Sequence, residues 1–409
     1  MPPFPPVRIV DVLPVEQDGE TLFCLHDALG YAPSQVALSP PAFFVATCLD
    51  GNSGVEQVQQ AFAQQFGGAV IEEAQVQEIV DFLDEQGFLY SPRFEAMRQE
   101  IDGAYLRAPA RPAMLAGAGY PAEPDALRAF IGEFFTRGDA PGSPPAAGDP
   151  AAPPLPGLVA PHIDFERGGH VYAHSYRRLY AYGRPDVAFV FGVAHSGIPV
   201  PFALTRKHFD TPFGVVETDQ DIVGALAEAC AWDPFEGEVC HRTEHSIEFQ
   251  AVMLAYLYGT GIKMVPVLCG DLREGGGEKP GSGAGVDRFL RACAEAVAAP
   301  ERRATVIAAA DLAHVGQRFG DEFDIDEDIV AGVAARDEED LAHVLAGGAD
   351  AWYDSVMRDA NARRVCGVNC IYAALRALDG RGAAGELLHY DYAHDPSGGI
   401  VSFAGIALV

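Results

Sequence analysis

The chain is poor in bases: 28 lysines and arginines stand against 58 aspartates and glutamates, for a formal charge of -30. Such a field repels phosphate backbones and anionic bilayers, so neither nucleic acid nor a membrane is expected as a partner, and the excess acid reads as a solubilising surface. No apolar run approaches the length of a membrane span. The opening MPPFPPVRIVDVLPVEQDGE has neither the basic nor the apolar region of a signal peptide. The cysteines (Cys24, Cys48, Cys230, Cys240, Cys269, Cys293, Cys366, Cys370) include no CxxC pair and no compact framework, which argues against a disulfide scaffold and for a reducing, cytoplasmic setting. There is no internal repeat and no phosphate-cradling loop of the Walker type. What remains is an ordinary globular composition, 49% hydrophobic over 409 residues, long enough for two or three domains with a large core.

Residues 1 to about 30 read as an extended lead-in. An apolar segment ending Phe43-Phe44-Val45-Ala46-Thr47-Cys48-Leu49 then meets the turn Asp50-Gly51. Helical spacing follows at Val55, Val58, Phe62 and Phe66, and again at Val76, Ile79, Val80, Phe82 and Leu83, where Gly87 supplies the expected stop. The order LSPPAFFVATCLDGNSGVEQVQQAF…VQEIVDFLDEQGFL resembles PqqD-like winged-helix domains, which bind leader peptides of ribosomally made, modified peptides as an added strand. The resemblance implies a peptide-recognition domain over residues 1–95; a structural or regulatory wing is the other reading. Residues 96–157 form a linker and the start of the next domain, with Leu127, Phe130, Ile131 and Phe134 on an amphipathic helix. From Gly138 to Pro156 the chain is rich in Pro, Ala and Gly without periodicity, as a flexible insertion would be.

From Leu158 onward, strand-like runs alternate with helical stretches at 187–193, 222–230, 246–258, 264–268, 284–298, 304–309, 326–346, 367–378 and 400–408. The alternation predicts an α/β fold, a mainly parallel sheet flanked by helices. Several runs stop where polar chemistry begins. Gly157-Leu158-Val159-Ala160 leads to His162, Val187–Val193 to His195, Ala304–Ala309 to Asp311 and His314, and Met264–Leu268 to Cys269 and Asp271. Ligands bind beyond the carboxyl ends of such strands, so these endings are read as one site. His245 and Glu248, three apart on a helix, are candidate acid/base partners or a ligand with its supporting group, whereas Glu244 reads as ordinary dipole matching. Asp311 can fix the tautomer of His314; a capping Asp in a polar turn is the bland alternative. Cys366, before Gly367 and a helix, sits where a thiol pKa is depressed, as suits a metal ligand or nucleophile. Cys230, Cys240, Cys269, Cys293 and Cys370 read as core residues. His170, His174, His208, His241, His343, His389 and His394 lack a comparable constellation and read mostly as packing or surface histidines.

Taken in order, RPAMLAGAGYPAEPDALRAFIGEFF, GLVAPHIDFERGGHVYAHSY, FVFGVAHSG, TEHSIEFQ, AAADLAHVGQRF and the CG before the last long helix resemble the Memo family, the "AmmeMemoRadiSam system protein B" relatives, over residues 108 to 409. The resemblance implies a fold like that of class III extradiol dioxygenases and a redox metal, iron or copper, held by His162, His195 and Cys366. It places His245, Asp311 and His314 at other pocket positions of a Memo-like domain over 158–409. Three departures stand out: Ile163-Asp164-Phe165 follow the first histidine, Ser196 follows His195 where relatives have a second histidine, and Leu115 stands where some relatives have one. Three functions remain open. The first is an Fe(II)-dependent, dioxygenase-like oxidoreductase acting on a peptide or small aromatic molecule, with His245 or His314 moving protons. The second is a metal-binding scaffold or redox-metal chaperone partnering a radical SAM protein, and the third a zinc-assisted hydrolase using His245 and Glu248.

Overall fold

The structure, a computed structural model, describes residues 2–17, 19–143, 148–149, 151–273, 279–281, 283–379, 381 and 384–409. The chain divides into two compact units, Met1–Arg107 and Ala108–Val409. The division falls after 107 rather than at 95, because the helix Pro92–Arg107 belongs to the first unit.

In the first unit the lead-in is a hairpin. Strands β1 (Asp11–Gln17) and β2 (Glu20–His26) pair antiparallel from Asp11↔His26 to Gln17↔Glu20, and β3 (Val36–Leu38) pairs with β2. Helices α1 (Pro40–Thr47), α2 (Val55–Gln65), α3 (Glu73–Glu85) and α4 (Pro92–Arg107) follow. Prolines at the start of α1 suit its first turn, which has no carbonyl for their missing N–H. The apolar segment before Asp50 is therefore largely helical. Gly87, with φ of +76°, ends α3 as its position predicts. Leu25, Val45, Val58, Phe62, Val76, Val80 and Leu83 build the core. The winged-helix reading is not confirmed: all three strands of this unit precede its helices, and among its described residues the only pairing after α3 is the isolated bridge Val7↔Leu89.

In the second unit an eleven-stranded mixed sheet carries helices on both faces. Its centre is parallel: β5 (Gly157–Ala160), β11 (Ala304–Ala309), β6 (Val187–Val193), β10 (Lys263–Cys269) and β9 (Gly214–Thr218) lie side by side. Antiparallel strands extend it, β14 (Gly399–Leu408) beside β5 with β12 (Asp311–Val315) and β13 (Gly385–Asp395) beyond, and β8 (His208–Thr211) beside β9. The remaining strands are β4 (Ala110–Arg111) and β7 (Phe202–Leu204).

The central strands β5, β6, β11 and, past Lys263, β10 are almost wholly apolar and buried, because both faces are covered. Phe189, Phe191, Val265 and Val267 point to one core, with α7 (Gln220–Ala229), α9 (Ala284–Ala298), α11 (Ala349–Met357) and α12 (Val368–Ala377). Ala188, Val190, Met264 and Leu268 point to the other, with α5 (Pro124–Phe134), α6 (Phe165–Tyr180) and α8 (His245–Tyr258). Each buried phenylalanine contributes roughly 1.5–3 kcal/mol of apolar transfer, so the middle of the sheet is rigidly placed. The helix α10 (Glu327–Leu345) packs near β12 through Val333. Of the insertion expected from Gly138 to Pro156, residues 144–147 and 150 lie outside the described residues. Among the described residues no helix is long and apolar enough to cross a membrane.

Candidate metal centre

The parallel register aligns the carboxyl ends of the central strands, with Ala309 opposite Ala160 and Ala308 opposite Phe191. Each end therefore releases its polar residues on the same edge. His162 follows β5 past Pro161, and His195 follows β6 past Ala194. Cys366 arrives from elsewhere, at the turn that opens α12. The turn is held by Asn361, whose side chain accepts from the Val365 amide at 2.7 Å and donates to the Val365 carbonyl at 3.1 Å.

One donor atom each from His162, His195 and Cys366 lies within 4.8 Å of the other two. The Cys366 Sγ is 3.3 Å from His162 Nε2, and the two imidazole rings are 5.0 Å apart, edge to face. Both rings are oriented by acceptors on the far side. His162 donates from Nδ1 to the Ala309 carbonyl at 2.9 Å, and His195 donates from Nδ1 to Glu244 at 2.9 Å, so each ring turns its Nε2 toward the other donors.

Electrostatics separate the two histidines. Burial pushes His162 down to about 3 and leaves it neutral. Burial also disfavours the His195 cation, but the Glu244 carboxylate and the hydrogen bond with Cys366 reverse this and carry it up to about 11. Burial pushes the Cys366 thiol up to about 11, so the depression expected of its helix-start position is not found. Ligation needs a neutral imidazole and a thiolate, so a cation binding here displaces protons. The donor set of two imidazoles and one thiolate fits a borderline or soft transition metal and does not suit magnesium or calcium.

His162 and His195, but not Cys366, line a cavity of about 390 Å³, together with His245, Asp311, His314, Arg167 and Arg318 among others. His245 stacks on His195 with ring centres 4.6 Å apart. Burial lowers His245 to about 4 and lowers His314 as well, so both are proton acceptors at neutral pH. Leu115 lines the same cavity.

Two expected partnerships are corrected by the geometry. Glu248 does not reach the cavity with His245. It is fully buried and takes an ion pair from Arg111 at 2.6 Å, the Tyr120 hydroxyl, and the amides of Met114 at 3.2 Å and Leu115 at 2.9 Å. These contacts hold Arg111 of β4 and the segment that follows it, away from His245 and the cavity. Asp311 does not orient His314, whose Nδ1 donates to the Leu312 carbonyl at 3.1 Å. Asp311 lies on β12 itself rather than in a turn, and its carboxylate accepts from the His162 amide at 2.9 Å. Cys269 and Asp271 stay outside the histidine cavity; Asp271 pairs with Arg273 on the surface at 2.7 Å.

The residue missed is Glu244. Its carboxylate is buried and accepts from the His195 amide at 2.9 Å, the His195 ring and the Ser246 amide at 3.0 Å. In the sequence it is one more acid in a first helical turn; only the approach of β6 to α8 shows which amide and ring it holds.

A mixed sheet with a His-His-Cys donor set at its parallel carboxyl ends defines an α/β protein with a candidate metal centre. The chain belongs to the Memo-like protein family, whose model matches residues 111–407. A MEMO1 family protein of Aquifex aeolicus is 25% identical over 409 residues, covering 98% of this chain and 99% of its own. One from Methanopyrus kandleri is 31% identical over 299 residues, 72% of this chain and 96% of its own, and one from Desulfurococcus amylolyticus is 27% identical over 302 residues.

Proposed function

We propose that the second unit is a non-haem Fe(II)-dependent oxidoreductase, with the ion held by His162 Nε2, His195 Nε2 and Cys366 Sγ, and with copper or zinc as the competing occupants. The observation that carries this reading is the convergence of the three donors, each histidine held through Nδ1 with its Nε2 turned toward the others. Bound Fe(II) would supply one-electron redox chemistry toward O2, with coordination positions open to the cavity. The chain's own part is positional. Glu244 and the Ala309 carbonyl aim the imidazoles, His245 and His314 stand neutral to take a proton from a substrate, and the cavity's 390 Å³ admits a small aromatic molecule or a peptide side chain.

The first unit bears on the choice of substrate. Strand β3 is an edge of its sheet, beside a groove of about 730 Å³ lined by Leu38, Ala42, Ile79 and Phe82 and flanked by Glu78 and Glu85. A leader peptide added as a strand there would raise the local concentration of its substrate segment. A chain lacking residues 1–107 that processes its peptide as efficiently as the full chain would refute that coupling.

The test of the centre is elemental analysis of protein purified without oxygen, with spectroscopy of its nitric oxide adduct. Near-stoichiometric iron with an adduct signal is expected, and His162→Ala is expected to abolish tight binding with the fold intact. Stoichiometric metal retained by that variant overturns the ligand assignment. Zinc without oxygen consumption would favour hydrolysis, and bound metal without turnover a scaffold that partners a radical SAM protein.

A further inference from the structure

Three histidines read from the sequence as packing or surface residues meet on the outer side of α6. His170 and His174 stand one helical turn apart on that helix, and His389 and Asp391 lie two apart on β13. One donor atom each from His170, His389 and Asp391 lies within 4.8 Å of the others, a spacing that small side-chain rotations convert to donors about 2 Å from one ion. His170 Nε2 already stands 2.7 Å from the Asp391 carboxylate, whose other oxygen accepts from the Tyr392 amide at 2.8 Å. The His389 ring is held flat against His174, with centres 4.5 Å apart and planes within 5°. His174 is anchored in turn by donating from Nε2 to the Asp139 carbonyl at 2.9 Å.

The cluster opens on its own cavity of about 440 Å³, which shares no lining residue with the cavity lined by His162 and His195. Glu166 and Asp139 add negative charge at its wall. We propose that His170, His389 and Asp391 form a second, thiolate-free site for a borderline divalent ion of the zinc(II) class, with one position open to this cavity. Two imidazoles and a carboxylate are a donor set that zinc takes without sulfur. A carboxylate bound to a backbone amide, and an imidazole stacked on a fixed neighbour, are the supporting contacts that orient ligands. The ion would tie α6 to β13, two elements that sit far apart in sequence.

Cobalt(II) distinguishes the two centres because only a thiolate ligand gives a strong near-ultraviolet charge-transfer band. Titration of the full chain with cobalt(II) is expected to show one equivalent with that band and one with visible ligand-field bands alone, the second displaced by zinc(II). The double variant His389→Ala/Asp391→Asn is expected to lose only the second equivalent. Its side chains are at the rim, with Asp391 39% exposed, so the fold does not depend on them. Absence of the thiolate-free equivalent from the wild type, or its survival in the double variant, overturns the proposal. Failure of the Cys366 centre would appear separately, as a missing charge-transfer band.

Discussion

Replacing Glu244 by glutamine tests whether the candidate centre is oriented from behind. The carboxylate accepts three hydrogen bonds, two at Oε1 from the His195 ring and the Ser246 amide and one at Oε2 from the His195 amide. Glutamine offers one oxygen. If that oxygen keeps the ring and Ser246, the side-chain NH2 faces the His195 N–H, donor against donor, in a buried place. The unsatisfied amide costs about 1–3 kcal/mol of stability. Losing the anion behind His195 lowers the basicity and fixity of the ligand, a change that typically weakens metal affinity 10- to 100-fold, or about 1.4–2.8 kcal/mol. Chelator competition gives the affinity and urea unfolding the stability. Glu248→Gln is the control, since Glu248 is equally buried, one turn along the same helix, and bound to Arg111 instead of a donor. It is expected to lose stability with metal affinity unchanged. If Glu244→Gln also destabilises without weakening metal binding, the orienting role is wrong and both acids are structural.

Gly367→Ala is expected to weaken metal binding and to destabilise by about 1–3 kcal/mol, because its Cβ would clash with the Ala310 Cβ and lie 2.7 Å from the Asp311 carbonyl; chelator competition and thermal melting check it, and a neutral outcome would mean the Cys366 turn is pliable. Residues 108–409 expressed alone should fold and bind cobalt(II) as the full chain does, since the Methanopyrus kandleri relative aligns over 96% of its own length with only 72% of this chain; a molten fragment would contradict this. Asp27 supplies a pH test for the first unit. Burial alone would raise its carboxyl, but Arg8, at 3.0 Å, and the amides of Ala32 and Tyr31 outweigh that and hold it below its usual range. A depressed value contributes stability above the unfolded pKa of about 3.9, and the contribution is lost as pH falls through the folded value. Hydrogen-exchange protection of the first unit should therefore fall below that pH in the wild type, and in Asp27→Asn should be lower at neutral pH with a flatter acid limb.

Much of the sheet was legible because its central strands are covered on both faces and so read as continuous apolar runs. Val187–Val193 and Ala304–Ala309 coincide with β6 and β11, and the polar residues at their ends are where the donors stand. The elements that went unread carry mixed patterns. The helix α6 has histidines and arginines along one side, and β13 mixes polar and apolar residues, half-buried or exposed, without a regular alternation over its eleven positions, so neither period marks them clearly. The same limit explains the errors at the site. Glu244 and Glu248 look alike in sequence, and their roles are decided by what approaches them: His195 in one case, Arg111 in the other. Asp311 and His314 share a strand, but an irregularity in the pairing of β12 with β14 lies between them, so spacing alone could not show that the aspartate turns to His162.

The three donors are therefore not held alike. The short step from β11 into β12 touches two of them: the Ala309 carbonyl takes the His162 ring, the Asp311 carboxylate takes the His162 amide, and the Asp311 carbonyl takes both the Gly367 amide at 3.2 Å and the Cys366 thiol at 3.7 Å. The loop before Cys366 supports this at a cost, with Ala360, Asn361 and Arg364 at φ of 59°, 57° and 52°, and each such position stores on the order of 1–3 kcal/mol unless its side chain relieves it. His195 has no bond to that step and depends on Glu244. Perturbing Glu244 should then loosen one ligand and leave the His162–Cys366 pair in place. In Glu244→Gln loaded with cobalt(II), the thiolate charge-transfer band should persist at reduced affinity. Its disappearance would mean that His195, rather than the β11–β12 step, sets the position of the thiol.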